Sequence, residues 1–316
     1  TGVEARWISG IRHAFLVSNP SAANQEDFYV FNVADPENPT EDAKINTGAG
    51  LNDIAIEGKY AFVLQDDYQN QLQVIDISDP TGPFIETEVT LQDVDGTYPE
   101  GRTIAYFDNT LYIGTWNNNI PATSPEFLIY DVSSPSAPAF LGSLNVGHSV
   151  NEIVVNDSYA YLATTDDAGE LTIVDITSPS IPTVVGKYDA PWSGNDAESV
   201  SLSNSVVYLG REKASSGDYD FLSVDVSDPA IPVLLGKLRF EMNGANAVVS
   251  GIVTQGKYAF VGTTDTNDEF RVLDVSDPSN PAPYGCPPYN YSAKVNDLVY
   301  LDNFIFVSNE SNDALR

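Results

Sequence analysis

Carboxylates are the groups most able to do chemistry here, since 45 acidic side chains face only 14 basic ones and the net charge is −31. Asp76, Asp131, Asp175, Asp225 and Asp274 recur in register, each closing an apolar run and each followed four residues later by proline. In-register carboxylates can act as acids, bases or cation ligands. This spacing points to structure instead. In Asp76-Ile77-Ser78-Asp79-Pro80 the side-chain oxygens can accept backbone N–H groups just downstream, and Pro80 and Pro83 then fix φ in the loop. Asn32 stands at this position in the first copy, where an amide makes the same bond without charge.

A second set of carboxylates lies in polar loops: Asp66 with Asp67, Asp166 with Asp167, Asp218 with Asp220, and Asp265 with Asp268 and Glu269. Calcium wants six to eight oxygens on a flexible loop. The nearest approach to a calcium-loop motif, Asp93-Val94-Asp95-Gly96, offers too few. Calcium is the one cofactor such loops could take, and the expectation is no metal and no cofactor. The chain has two histidines, His13 and His148, and His13 aligns with Tyr60 as a packing residue. It lacks a serine elbow, a C-x-x-C, an H-E-x-x-H and a phosphate-binding glycine loop. Glycoside hydrolysis needs only two suitably spaced carboxylates. A secreted polysaccharide hydrolase or lyase therefore stands as the alternative function, but no feature selects a pair and no catalytic residue is assigned.

These residues must be held by a repeated unit. The stretch Leu171–Pro179 (L-T-I-V-D-I-T-S-P) has copies at Leu72–Pro80, Leu128–Pro135, Leu222–Pro229 and Arg271–Pro278, with a weaker one at Tyr29–Pro36. Before each lies a block like Asp53–Leu64, whose central aromatics are Phe15, Phe62, Tyr112, Tyr161, Tyr208, Phe260 and Phe306, 46 to 52 residues apart. The unit reads as four short strands. Its second and third are near-continuous Val/Ile/Tyr runs that suit burial on both faces, and its fourth is typified by Thr183–Tyr188 and Val233–Leu238. Such units are β-propeller blades. Seven copies of the first block predict an all-β propeller of seven four-stranded blades, one domain over residues 1–316, its last blade either incomplete or closed by the N-terminal segment Thr1–Ala5.

The L-x-I-V-D-[IV]-[ST]-x-P signature, with Y-[AV]-[YF]-[VL] before it and P-x-x-[VL]-G-x-[YL] after it, resembles the LVIVD repeat family. The resemblance covers essentially the whole chain. It implies a propeller from a bacterial secreted or cell-surface protein, and it carries over no catalytic or ligand residue.

Propeller geometry puts the short Gly, Asp and Pro turns on one face and the variable loops on the other. The variable loops are 18–27, 65–71, 115–126, 164–170, 211–220 and 263–269, and function concentrates in such loops. Candidate ligand-binding residues there are Asp53, Arg102, Glu152, Glu198 and Asp297 around a central mouth, together with Arg6, Asn52, Asn151 and Ser250. The aromatics Tyr98, Trp116, Trp192, Tyr219 and Tyr291 complete the set and suit a protein partner or a polar, glycan-like ligand. The acidic balance argues against nucleic acid and anionic membrane as partners. No apolar run reaches 18 residues, so no transmembrane span is expected. Cys286 is alone, which rules out an intrachain disulfide, and a chain opening on Thr1 is expected to be a mature or trimmed product. The function these features support is a non-enzymatic binding or scaffold propeller, a subunit of a bacterial surface or outer-membrane assembly.

Overall fold

The computed structural model describes residues 2–20, 24–67, 69–91, 99–116, 124–191, 195–212, 218–242, 247–265, 267–285, 288–310 and 315. The fold is an all-β propeller of four-stranded antiparallel blades. Each blade runs in simple up-and-down order, so consecutive strands are neighbours. Blade one is Val3–Ile8, Ile11–Val17, Phe28–Asn32 and Thr40–Ile45; blade two is Leu51–Glu57, Tyr60–Gln65, Leu72–Asp76 and Phe84–Val89. Blade three follows as Gly101–Phe107, Thr110–Thr115, Phe127–Asp131 and Ala139–Leu144, and blade four as Val150–Val155, Tyr159–Thr164, Leu171–Asp175 and Thr183–Tyr188. Blade five is Ala197–Ser203, Val206–Arg211, Phe221–Asp225 and Val233–Leu238. Blade six is Val249–Gln255, Tyr258–Thr263, Phe270–Asp274 and a fourth strand of only Ala282–Pro283.

The described residues thus contain six four-stranded blades, not seven. The seventh copy of the inner block forms a two-stranded sheet, Val295–Leu301 with Phe304–Asn309. The N-terminal segment does not complete that sheet. Val3, Glu4 and Ala5 pair with Leu16, Phe15 and Ala14 as the first strand of blade one. Leu315 makes an isolated bridge to Ser308, where a third strand would begin.

Two compact units divide the chain: Thr1–Gly147 with Pro179–Ile181 and Val299–Phe306, and His148–Ser178 with Pro182–Leu298 and Val307–Arg316. In the first, Phe15, Phe28, Val63 and Ile75 pack between blades one and two, and Phe62, Leu72, Ile113 and Leu128 between blades two and three. In the second, Tyr161, Ile173, Leu209 and Leu222 fill one layer, and Phe221, Phe240, Val261 and Leu273 another. The second and third strands are buried on both faces, as their near-continuous apolar runs lead one to expect. The fourth strand instead alternates exposed and half-buried positions in Phe84–Val89.

The recurrent Asp makes the expected turn in every complete copy. Asp76, Asp131, Asp175, Asp225 and Asp274 each accept the N–H two residues on, at 2.7–2.9 Å, and Asn32 does so at 3.0 Å. The Ser133 and Ser227 N–H groups hold Asp131 and Asp225 below the usual carboxylate range, and the Thr177 and Ser276 hydroxyls do the same for Asp175 and Asp274. Blades also abut through the fourth strand. A Cβ on Gly186 would stand 2.0 Å from the Pro229 carbonyl oxygen of the next Asp-Pro turn, and one on Gly236 2.4 Å from that of Pro278. The glycine of the P-x-x-[VL]-G motif therefore exists for close approach between blades. His13 is buried, as expected, with Nε2 3.2 Å from the Asp42 carboxylate.

Candidate functional site: the variable-loop ends of the blades

The first strand of each blade from two to six carries a β-bulge where it enters the sheet, and the residue left out of the ladder is Asn52, Arg102, Asn151, Glu198 or Ser250. A bulge re-aims a side chain. In the first unit Asn52 Nδ2 donates to the Gly101 carbonyl of the following blade at 2.8 Å. In the second, Asn151 Nδ2 donates to the Ala197 carbonyl at 2.6 Å, and Ser250 Oγ to that of Val295 at 2.7 Å. The neighbouring acid works in the opposite sense. Asp53 accepts the Ile54 and Ile104 N–H groups at 2.8 Å each, and Glu152 accepts that of Val200 at 2.7 Å. Burial raises the Asp53 pKa against the pull of those two donors. Asp297 accepts its own neighbour's N–H, from Leu298, at 2.7 Å.

Glu198 departs from the pattern because a carboxylate cannot donate. Ser199 Oγ supplies the bond to the next blade instead, reaching the Val249 carbonyl at 2.8 Å. The Glu198 carboxylate lies with those of Asp196 and Glu212, with ligand oxygens all within 4.8 Å of one another. Of the described residues these are the ones spaced to share a cation. Burial, then the charge of Asp196, pushes the Glu212 pKa up. This grouping is not one of the loop clusters that the spacing of acids in the sequence brings to notice.

The structure also brings Arg102 and Trp116 together, the guanidinium carbon 3.7 Å from the centre of the indole. Tyr219 has Lys237 Nζ 4.2 Å over its ring, and its carbonyl accepts from Arg211 at 3.4 Å. Tyr291 packs near Phe270 with its ring tilted at 44°, 6.4 Å between centroids. Arg6 pairs with Glu57 at 2.7 Å. Tyr98, Trp192 and Cys286, and the Asp93–Gly96 stretch, lie outside the described residues.

A set of side chains missed in the sequence reading holds these loops. Asp27, Gln71, Glu126, Glu170, Asp220 and Glu269 each precede the third strand, and all six are buried. Each accepts a backbone N–H some twenty residues on, in the connection to the next blade. The donors are Thr47, Leu91, Val146, Ala190, Phe240 and Tyr291, at 2.7–3.0 Å. The backbone of the same residue closes its loop. Ser18, Gln65, Thr115, Thr164, Arg211 and Thr263 donate N–H to the carbonyls of Asp27, Gln71, Glu126, Glu170, Asp220 and Glu269. Both the second-to-third loop and the inter-blade connection are thereby pinned at one point. An acid or amide just before the Phe or Leu that opens the third strand is the signal that could have found them.

In blade four this clip carries more. Glu170 also pairs with Arg211 at 2.9 Å, and both side chains are within 1% of complete burial. Arg211 further donates to the Asn195 carbonyl at 3.0 Å. Burial, then the Glu170 charge, pushes the nearby Tyr188 hydroxyl up to about 12.

Sequence comparison finds a family model described as LVIVD repeat that matches residues 51–90, 102–146, 147–190, 194–239 and 248–285. No curated protein matches in sequence. Similar solved structures share the fold alone. A chain of the Mitotic Checkpoint Complex has TM-score 0.66 and 11% identity, over 98% of this chain and 86% of that one. Chaetomium thermophilum Sqt1, bound to the N-terminus of the ribosomal protein L10, has TM-score 0.62 and 12% identity, over 98% and 82%. The extracellular domain of the putative one component system BT4673 from B. thetaiotaomicron has TM-score 0.57 and 13% identity, over 99% of this chain and 39% of that one.

Proposed function

We infer that this chain, which belongs to the LVIVD repeat family, is a single-domain, non-enzymatic binding or scaffold propeller that holds a protein partner on its variable loops. One observation carries the reading. A buried clip pins the base of the variable loop in each of six blades, while the side chains displayed beside the clips differ from blade to blade. Loops whose ends are fixed before contact lose less entropy on binding, and diverse side chains on a fixed frame give specificity. The Arg102–Trp116 stack is the anchor of the kind that dominates protein interfaces. Asp53 and Glu152 spend their carboxylates on backbone N–H groups of the adjoining blade, which suits a frame better than acid–base chemistry.

The partner class is supported by the similar propeller bound to a ribosomal-protein N-terminus. A place at the bacterial cell surface, as part of a surface or outer-membrane assembly, is supported by the LVIVD repeats and the similar extracellular domain. No helix among the described residues is long and apolar enough to cross a membrane; attachment through a partner or a separate anchor is part of the proposal.

The test is a photo-crosslinker placed at Trp116 or Tyr219, compared with one at Asp79 or Asp228 in the Asp-Pro turns, on intact producing cells. Crosslinks to one protein from 116 and 219 and none from 79 and 228 are expected. Trp116→Ala should weaken binding of that protein by ~2 kcal/mol and leave the melting temperature unchanged. Crosslinks confined to the turns, or a partner met only inside the cell, would refute the reading.

A further inference from the structure

Blade six breaks the pattern on its outer side. In blade five the fourth strand pairs along the whole third strand, Lys237 opposite Leu222 and Leu238 opposite Phe221. In blade six it pairs only as Pro283 opposite Leu273 and Ala282 opposite Asp274. Tyr284 adds one bond to the Val272 carbonyl, the chain turns at Gly285 with φ +66°, and contact resumes at Tyr289 opposite Phe270. Pro281, Pro283 and Pro288 contribute to the gap, since proline has no N–H to give a ladder. Opposite the gap stands Arg271, where the other copies carry Tyr29, Gln73, Leu128, Thr172 or Leu222.

A cavity of about 60 Å³ opens there, and Leu238, Arg239, Phe240, Arg271, Val272 and Pro288 are among the residues that line it. Arg271 is mostly buried and sits 4.9 Å over the Phe240 ring. Its Nη2 reaches the Phe240 carbonyl and Asp268 at 3.3 Å each, while its buried Nε–H has no partner. Arg239 Nε lies 3.3 Å from the Glu241 carboxylate. Two arginines thus line one small cavity in a chain of net charge −31, each with a single long ion-pair contact among the described residues, of 3.3 Å, to Glu241 or Asp268. The volume is far too small for a drug-sized ligand and suits one functional group.

We propose that this cavity is a carboxylate-binding site, taking one carboxylate on a short apolar stem. The carboxylate meets the Arg271 and Arg239 donors and the stem lies on Leu238, Phe240 and Pro288. The proposal deepens the binding reading above by naming the chemistry that a partner would present, and the same group could come from a free short-chain acid.

Titration by NMR or calorimetry tests it, with butyrate against butylamine, and a blocked Leu-Glu dipeptide against its Leu-Gln counterpart. Butyrate or the Leu-Glu peptide should bind saturably, the amine and the Gln peptide should not, and Arg239→Gln should weaken binding roughly tenfold. Arg239 is partly exposed, so that variant folds even if Arg271→Gln does not. Binding of butyrate points to a free acid as the source, and binding of the peptide alone points to a polypeptide. No saturable binding of either, or binding unchanged in both Arg239→Gln and Arg271→Gln, overturns the site. Crosslinking at 116 and 219 reads the wider function separately, so loss of one result leaves the other intact.

Discussion

Replacing Glu170 by Gln removes one half of a fully buried ion pair while keeping a side-chain oxygen for the Ala190 N–H. Arg211 cannot shed its proton, so the variant buries a guanidinium whose Glu170 charge partner has been removed. Removing one partner of such a pair costs about 3–5 kcal/mol, and Arg211 has no exposed surface through which water could relieve it. The repeat supplies its own control. Blade two already uses an amide at this position, where Gln71 Oε1 accepts the Leu91 N–H at 3.0 Å with no charge involved. The double variant Glu170→Gln with Arg211→Met should therefore return to within ~1 kcal/mol of the parent, because a buried pair exchanged for apolar volume is close to neutral. Urea unfolding followed by tryptophan fluorescence gives both values. The single variant should lose roughly 1–2 M in midpoint and the double should recover it. A single variant within ~1 kcal/mol of the parent, or a double no better than the single, would show that the pair is solvated and the reasoning wrong.

Gly186→Ala should destabilise by ~1–3 kcal/mol or more, read from thermal or urea unfolding, because the new methyl would sit 2.0 Å from the Pro229 carbonyl oxygen; an unchanged midpoint would mean that the blades do not abut there. The two classes of aspartate should respond to pH in opposite senses. Burial, outweighing the Thr47 donors, raises Asp27, so its contribution is complete below the unfolded-state pKa and fades as pH climbs through the folded one. The Thr177 hydroxyl and N–H lower Asp175, so its contribution is present above the unfolded pKa and is lost as pH falls through the folded one. Between about pH 3 and pH 7, the stability gap between parent and Asp27→Asn should shrink with rising pH, and that between parent and Asp175→Asn should widen. Slopes of the opposite sign would refute the assignments.

The Asp-Pro turns were legible because donor and acceptor are two residues apart and the motif carries its own partner, as Asp76 and Ser78 do. The strands were legible for a similar reason, since Tyr60–Gln65 and Leu72–Asp76 are dominated by apolar residues. The clips were not. Glu170 and Asp220 stand at the edge of polar loops beside other acids, and the N–H that each accepts is twenty residues away, so they read as solvated charge. Blade number failed for another reason. Counting the first block gives seven, but a blade needs four strands, and Val295–Leu301 with Phe304–Asn309 supplies two. At the candidate site, the sequence brought Arg102 and Trp116 into one list without showing that they stack. It could not separate Glu198 from the other mouth residues, because only the bulge register shows that Ser199 has taken over the bond to the next blade.

The clip makes each variable loop a socket. In blades two, four and six the loop closes from Gln65, Thr164 or Thr263 onto Gln71, Glu170 or Glu269, and in blade three a longer segment spans from Thr115 to Glu126 between the same two bonds. Whatever is inserted between those points, the strands on either side receive the same geometry, and lengthening the insert adds closure entropy only logarithmically. Segments of foreign sequence can thus be exchanged into one blade without retuning its neighbours, so the array can be varied one loop at a time.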